Sequence, residues 1–272
     1  MFREYEATYT PPAPKTSGKE ILNVTVLNGD AAQIPYLPFM TLSDVQMHIS
    51  IKLKIPANKQ KLLYEDKEVQ IFKPNGQSFT LSECSIPPYA TLYLVVLLYA
   101  IPEAFDHVVF DLYWGYPSSG CDYLDASCLV YQNTHFLNLV DYRHCSRQGI
   151  THSGDVMNSH TRTGHHTIHV YLKQLPSNAT HLFFTLSAWN SPNISRYPNP
   201  SLKFYEASSV HKDLCKTTFT HARYSQAVIM CSVSKNSQGR WEIYESGKLS
   251  AGNAKNYSPI KSTIINLIKT GY

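Results

Sequence analysis

Beyond residue 108 the chain is a succession of short apolar segments set apart by turns, and this pattern limits its fold more than any other feature. Residues 108–113, 126–132, 167–172, 181–189, 201–205, 227–233 and 240–244 each have strand length, and few helical stretches lie between them. Strand-length segments recurring with turn residues between them argue for a β-sandwich. Sixteen prolines, nineteen tyrosines and a charged fraction of only 16% agree with a mainly β chain. The last apolar stretch, Tyr257-Ser258-Pro259-Ile260 followed by Ile264, Ile265, Leu267 and Ile268, fits a terminal helix or a strand.

The first hundred residues are patterned differently. Residues 1–19 carry Pro11, Pro12 and Pro14 and then Ser17-Gly18, the composition of a flexible tail. Residues 21–27 alternate as a strand and close on the turn Asn28-Gly29. A second extended piece, interrupted by Pro35 and Pro38, leads to Thr41. Thr41 with Asp44 fits a helix N-cap and its acidic partner. Leu42, Val45, Ile49 and Leu53 then recur at steps of three and four, the apolar face of one amphipathic helix. Ile55-Pro56 ends it, because proline disfavours helical geometry in the residue before it. Strands are expected at residues 61–64 and 91–97. The organisation is therefore a tail over 1–19, an α+β domain over 20–100 and a β-sandwich over 101–272.

Length and charge remove several function classes. A chain of 272 residues can hold two ordinary domains. Its formal charge of +4 is spread over scattered Lys and Arg, without the basic stripe of a nucleic-acid binder. Residues 1–19 lack the apolar centre of a secretory signal. The longest apolar run, residues 92–101, is half the ~20 residues a membrane-spanning helix needs. A cytoplasmic location is expected, with neither membrane nor nucleic acid as a partner. Cys84, Cys121, Cys128, Cys145, Cys215 and Cys231 are irregularly spaced and form no Cys-x-x-Cys pair. In that setting they are expected to be free, mostly buried thiols, and the glycosylation patterns at Asn23, Asn178 and Asn193 go unused.

The order strand, strand, helix, strand, strand in residues 20–100 resembles the β-grasp fold of ubiquitin. The resemblance rests on Ile55-Pro56-Ala57-Asn58-Lys59-Gln60-Lys61-Leu62-Leu63-Tyr64, on Thr80-Leu81-Ser82-Glu83-Cys84-Ser85-Ile86 and on Ala90-Thr91-Leu92-Tyr93-Leu94-Val95. Ubiquitin ends in a free Gly-Gly tail; here Leu97-Leu98-Tyr99-Ala100 runs on into further protein, so conjugation is not expected. The resemblance places the recognition patch of ubiquitin's sheet on Leu63, Tyr93 and Val95. These residues form either a docking face for ubiquitin-system partners or a face packed on the second domain.

The second domain resembles the TerD-like family, associated with tellurium resistance and stress responses. Tyr123-Leu124-Asp125-Ala126-Ser127-Cys128-Leu129-Val130-Tyr131 and Thr151-His152-Ser153-Gly154-Asp155 carry that resemblance. It continues through His169-Val170-Tyr171-Leu172 and the segment from Leu182 to Trp189, and closes with Ile229-Met230-Cys231 and Arg240-Trp241-Glu242. It implies a β-sandwich and a calcium site at Asp125, Ser127 and Asp155. Calcium takes ~6–8 oxygen ligands, and the chain departs from the family where more acids are common: Tyr123, His165-His166-Thr167 and Tyr171 stand there. A weak calcium site and a pair of structural turns are the two readings.

Eight of the twelve histidines lie between His135 and His181, which raises zinc. His165 and His169 share a strand face but stand ~13 Å apart, too far for one ion. His152 and His166 can approach across strands, without a cysteine motif to complete a site. His152, Ser153 and Asp155 are too close in sequence to form a triad, and no nucleophile elbow, phosphate loop or metalloprotease helix occurs. Together these readings imply a non-enzymatic adaptor with a docking module and a stress-response domain that binds calcium weakly. A ubiquitin-pathway cysteine hydrolase using Cys121, Cys128 or Cys145 is the alternative.

Overall fold

A computed structural model describes residues 20–116, 123–218, 222 and 224–272. The tail expected over residues 1–19 lies outside the described residues, as do Cys121 and Asp122.

In the first unit β1 (Ile21–Val26) buries Leu22, Val24 and Val26 on one face. Asn28 and Gly29, the latter at φ +100°, turn the chain into β2 (Ala31–Pro35). Glycine reaches that backbone region without steric cost. α1 (Leu42–Leu53) begins on a full capping box. Thr41 Oγ1 accepts from the Asp44 N–H at 3.1 Å, and Asp44 Oδ2 accepts from the Thr41 N–H at 3.0 Å. The helix stops at Lys54, which adopts φ +58° two residues before Pro56. β3 (Gln60–Tyr64), the two-residue β4 (Lys67–Glu68) and β5 (Thr91–Ala100) follow. β1 lies antiparallel to β2 and parallel to β5, while β3 runs antiparallel to β5. The order β2-β1-β5-β3, with α1 packed across it through Leu42, Val45 and Ile49, is a β-grasp.

The second unit contains β6 (His107–Gly115), β7 (Leu124–Gln132), β8 (His135–Val140), β9 (Ser146–Arg147), β10 (Ile150–His152) and β11 (Val156–Asn158). It continues with β12 (Thr163–Tyr171), β13 (His181–Ala188), β14 (Ser201–Glu206) and β15 (Cys215–Thr218). β16 (Ala227–Lys235), β17 (Trp241–Ser250) and α2 (Ser258–Lys269) close the chain. One sheet runs β17-β16-β13-β7-β8 and the other β15-β14-β6-β12-β10-β9, with β11 on β12. Their inner faces meet as a sandwich, in which Phe110 stacks on Phe184 with ring centroids 3.8 Å apart. Among the described residues no helix is long and apolar enough to cross a membrane.

β5 belongs to both units. Its first half pairs with β1 up to Leu94, and β17 takes over the same edge from Val96 to Ala100, opposite β3. The strand therefore outruns the length read from its apolar pattern, because its second half has its own partner. The boundary expected at residue 100 falls at the end of this shared strand, and a single ten-stranded sheet spans both units.

The terminal apolar stretch is helical, with Pro259 in its first turn and Ile260, Ile264 and Leu267 facing inward. α2 and Tyr272 cover the outer face of the long sheet, packing on Leu129, Tyr131, Phe183, Ile229 and Tyr244 and also on Leu63 and Val95. Of the two readings of Leu63, Tyr93 and Val95, packing on the second unit holds for the first and the last. Leu63 and Val95 are 3% and 1% exposed, because α2 and the sandwich bury them, and Tyr93 alone of the three remains open at 46%.

Since Leu267 seals both units at once, Leu267→Ala should cost about 2–4 kcal/mol, read by urea unfolding. Tryptophan fluorescence, which reports only the second unit, and amide exchange of β1–β3 should shift together. Separate midpoints for the two signals would contradict a shared sheet.

Candidate functional site

The acid-and-hydroxyl motif at residues 125–127 lies on β7, where the period of two decides which way each side chain points. Leu124, Ala126, Cys128 and Val130 enter the sandwich core. Asp125 and Ser127 take the opposite face with Leu129 and Tyr131, beneath the start of α2. On the neighbouring β13, Ser187 stands opposite Asp125 and Thr185 opposite Ser127. The result is a buried square of one carboxyl and three hydroxyl groups. Asp125 Oδ2, Thr185 Oγ1 and Ser187 Oγ have no hydrogen-bond partner.

Asp125 is 5% exposed, and burial, with Asp155 and Asp141 nearby, pushes its carboxyl up to about 7. It is therefore poised between its charged and neutral forms near neutral pH. Ser127 Oγ lies 2.7 Å from the Tyr257 hydroxyl, which donates to Asp141 Oδ2 at 3.1 Å. Asp141 Oδ1 accepts from the N–H groups of Arg143 and His144 at 3.0 and 2.8 Å, and lies 3.0 Å from His144 Nδ1. Burial and the Asp141 carboxylate keep the Tyr257 phenol protonated.

Asp155 serves a different structure. His166, fully buried on β12, donates from Nε2 to Asp155 Oδ1 at 2.7 Å and accepts the Ala126 N–H at Nδ1, at 3.0 Å. His152 donates from Nε2 to the Ala126 carbonyl at 3.1 Å and accepts the Gly154 N–H at Nδ1, at 2.9 Å. β8 joins β7 only from Cys128 onward. Two imidazoles from the opposite sheet thus supply the hydrogen bonds that a strand would have given Ala126. Every ring nitrogen of the pair is committed, and the rings stand 4.7 Å apart. Burial, followed by the nearby His166, lowers His152 to about 4. The hydrogen bond from His166 holds Asp155 below the usual carboxylate range.

The residues expected to hold calcium are near one another but are not a ligand set. Ser127 is spent on Tyr257 and Asp155 on His166, while Asp125 enters from the other face of β7 as a half-neutral acid. Among the described residues no three acidic, histidine or cysteine side chains converge in a way that could hold a metal ion. The donors present do not fit calcium, which prefers several charged carboxylates. His165 and His169, on the outer face of the second sheet, have separate partners: Asp111 at 2.9 Å and His107 at 2.9 Å. Cys128 and Cys231 are buried, and burial pushes the Cys128 thiol far above its ordinary range. Cys145 is exposed and donates to the Tyr142 carbonyl at 3.2 Å.

Sequence reasoning did not find Asp141, Tyr257, Thr185 or Ser187. Thr185-Leu186-Ser187 repeats the alternation of Asp125-Ala126-Ser127, two polar groups on one strand face, and that signal was readable. Which strands pair, and in what register, was not.

No family model matches the chain, and no curated protein matches it. Many solved structures are similar to part of it, among them two at low sequence identity. One is the crystal structure of the protein of unknown function SAV2460, 14% identical, covering 58% of this chain and 97% of that one with a TM-score of 0.48. The other is a homologue of the telluride resistance protein TerD, SCO6318 from Streptomyces coelicolor A3(2), 14% identical, covering 57% and 96% with a TM-score of 0.48.

Two opposed pH dependences follow. Asp125 is raised from 3.8 to about 7 on folding, so the folded state holds its proton more tightly and stability is lost as pH rises through that window. Asp125→Asn should therefore be more stable than wild type by roughly 2–4 kcal/mol at pH 8, and the gain should vanish near pH 4. His152 is lowered from 6.5 to about 4, so its contribution is complete above 6.5 and is lost as pH falls towards 4. His152→Ala should flatten that acid limb. Urea titrations across this range check both, and a gain from Asp125→Asn that does not shrink with acid would count against the buried, raised carboxyl.

Proposed function

We propose that the protein is a non-enzymatic binding protein of the cytoplasm, in which the β-grasp unit docks a protein of the ubiquitin system or a similar adaptor. The sandwich, as a tellurium-resistance-type stress-response domain, holds that unit in place. One observation carries this reading: a largely apolar cleft of about 370 Å³ opens where the two units meet. Leu27, Leu63, Tyr93 and Val95 form one wall, Lys248 and Leu249 of β17 another, and Leu267 and Tyr272 the third. Tyr93 and Leu249 stand at its mouth, 46% and 38% exposed. Ligand sites are favoured at such junctions of domains. The acid-hydroxyl square, by contrast, is sealed beneath α2, where a substrate does not reach it, which supports binding rather than turnover.

The reading predicts that an isolated ubiquitin-interacting helix binds the full chain, and that Tyr93→Ala or Leu249→Asp weakens it about tenfold or more. Val210→Ala, at an exposed position outside the cleft, should leave binding unchanged. Equal affinity for all three variants would remove the cleft from the reading. The cysteine-hydrolase alternative has a separate test: covalent labelling by ubiquitin bearing a C-terminal electrophile, lost in Cys145→Ser, would replace the adaptor with an enzyme. A calcium titration by calorimetry completes the set, and heat that disappears in Asp125→Asn would restore a cation site.

A further inference from the structure

The calcium that the TerD-like resemblance implies would have one structural task, to tie β7 at residues 125–127 to the loop that carries Asp155. In this chain side chains make that tie. His166 Nε2 donates to Asp155 Oδ1 at 2.7 Å, and its Nδ1 accepts the Ala126 N–H at 3.0 Å, so one ring reaches from the loop to β7. The ring is 0% exposed and meets Trp114 and His152 edge to face, with centroids 5.0 and 4.7 Å away. A cation draws its oxygens in to ~2.3–2.6 Å, whereas an imidazole bonded on both sides holds Asp155 and Ala126 apart by its own width. Ser127, another of the expected ligands, is also bonded to an uncharged group, the Tyr257 hydroxyl at 2.7 Å. His165 and Tyr171, at positions where the family commonly has acids, lie on the outer face of the second sheet against Asp111 and His107. Tyr123 is 36% exposed ahead of β7. Of these four residues only His166 points inward and reaches the loop.

We propose that His166 stands in the place of the divalent ion, as a clasp of hydrogen bonds that closes the second unit without metal. An imidazole that accepts at Nδ1 and donates at Nε2 is neutral, with one acceptor and one donor to give. These match one backbone N–H and one acid oxygen, and the bond to an ionised carboxylate is of the stronger, charge-assisted kind. His152 doubles the tie by donating to the Ala126 carbonyl at 3.1 Å, so both backbone groups of Ala126 are bound from the opposite sheet. A cation at Asp155 would have to displace His166 from both of its bonds and leave the Ala126 N–H buried without a partner, a costly state for a backbone group. The second unit is therefore closed as it folds, at any divalent concentration, and calcium is not the signal that opens or shuts it. The inference is independent of the proposed docking role, since the clasp and the cleft share no residue.

Thermal melting of the full chain, in chelator and in millimolar calcium, tests it. The expected wild-type result is the same midpoint in both. Asp155→Asn and His166→Ala should each lower that midpoint equally with and without calcium. The double variant should fall no further than the worse single one, because the two side chains act as a pair. Should His166→Ala fail to fold, His166→Gln, which keeps a donor and an acceptor on one side chain, carries the comparison. His166→Asp sets two carboxylates together, and it is the one variant that calcium should stabilise, by about 5 °C or more at a hundredfold excess over its dissociation constant. A wild-type midpoint that calcium raises by as much overturns the proposal, as does a loss from Asp155→Asn that appears only in calcium. A His166→Asp variant blind to calcium also overturns it, by taking the imidazole out of the ion's place.

Discussion

The structure depends on the requirement that a buried strand find a hydrogen-bonding partner along the whole of each edge. β5 meets it by dividing one edge between β1 and β17 while β3 occupies part of the other. That division turns two folding patterns into one sheet. It also brings the grasp face alongside the outer face of the sandwich, so that a single helix, α2, covers both. The cleft then exists because α2 and Tyr272 do not quite fill the angle between the two units.

The same requirement explains the histidine pair. Where β8 falls short, the edge of β7 at Ala126 is closed by His166 and His152 reaching across the core. An imidazole can replace a strand because it offers one donor and one acceptor, but only while neutral. Acid therefore loosens this join, whereas alkali charges Asp125 on the other face of the same strand. Neutral His152 and protonated Asp125 are favoured together only in the interval between about 4 and about 7, and the two residues flank a single peptide segment.

Much of the fold was legible because it is written in local patterns. The capping box at Thr41 and Asp44, the helix stop before Pro56 and the alternation of β1 are decided within a few residues of each other. The sandwich followed from turns at regular spacing. What was hidden depends on partners distant in sequence. Asp125 and Asp155 resemble a cation site in one dimension, but β7 points the first away from the core while His166, on another strand, takes the second. Leu63 and Val95 have the composition of an exposed patch or of a buried one alike, and only the position of α2 decides between them. The buried hydroxyls of Thr185 and Ser187 show in the alternation of their own strand, but only its pairing with β7 brings them to the square.

The divided edge of β5 also has a consequence in time. During synthesis the grasp unit can form its local pairs early, but β17 follows β5 by roughly 140 residues, a delay on the order of ten seconds or more at ordinary translation rates. Throughout that interval the second half of β5 offers an unpaired edge, and Leu63 and Val95 stay uncovered until α2 arrives. The nascent chain therefore passes through a long window in which its sheet can still be extended by a stranger, and a chaperone acting on the ribosome-bound first half would have its clearest task there.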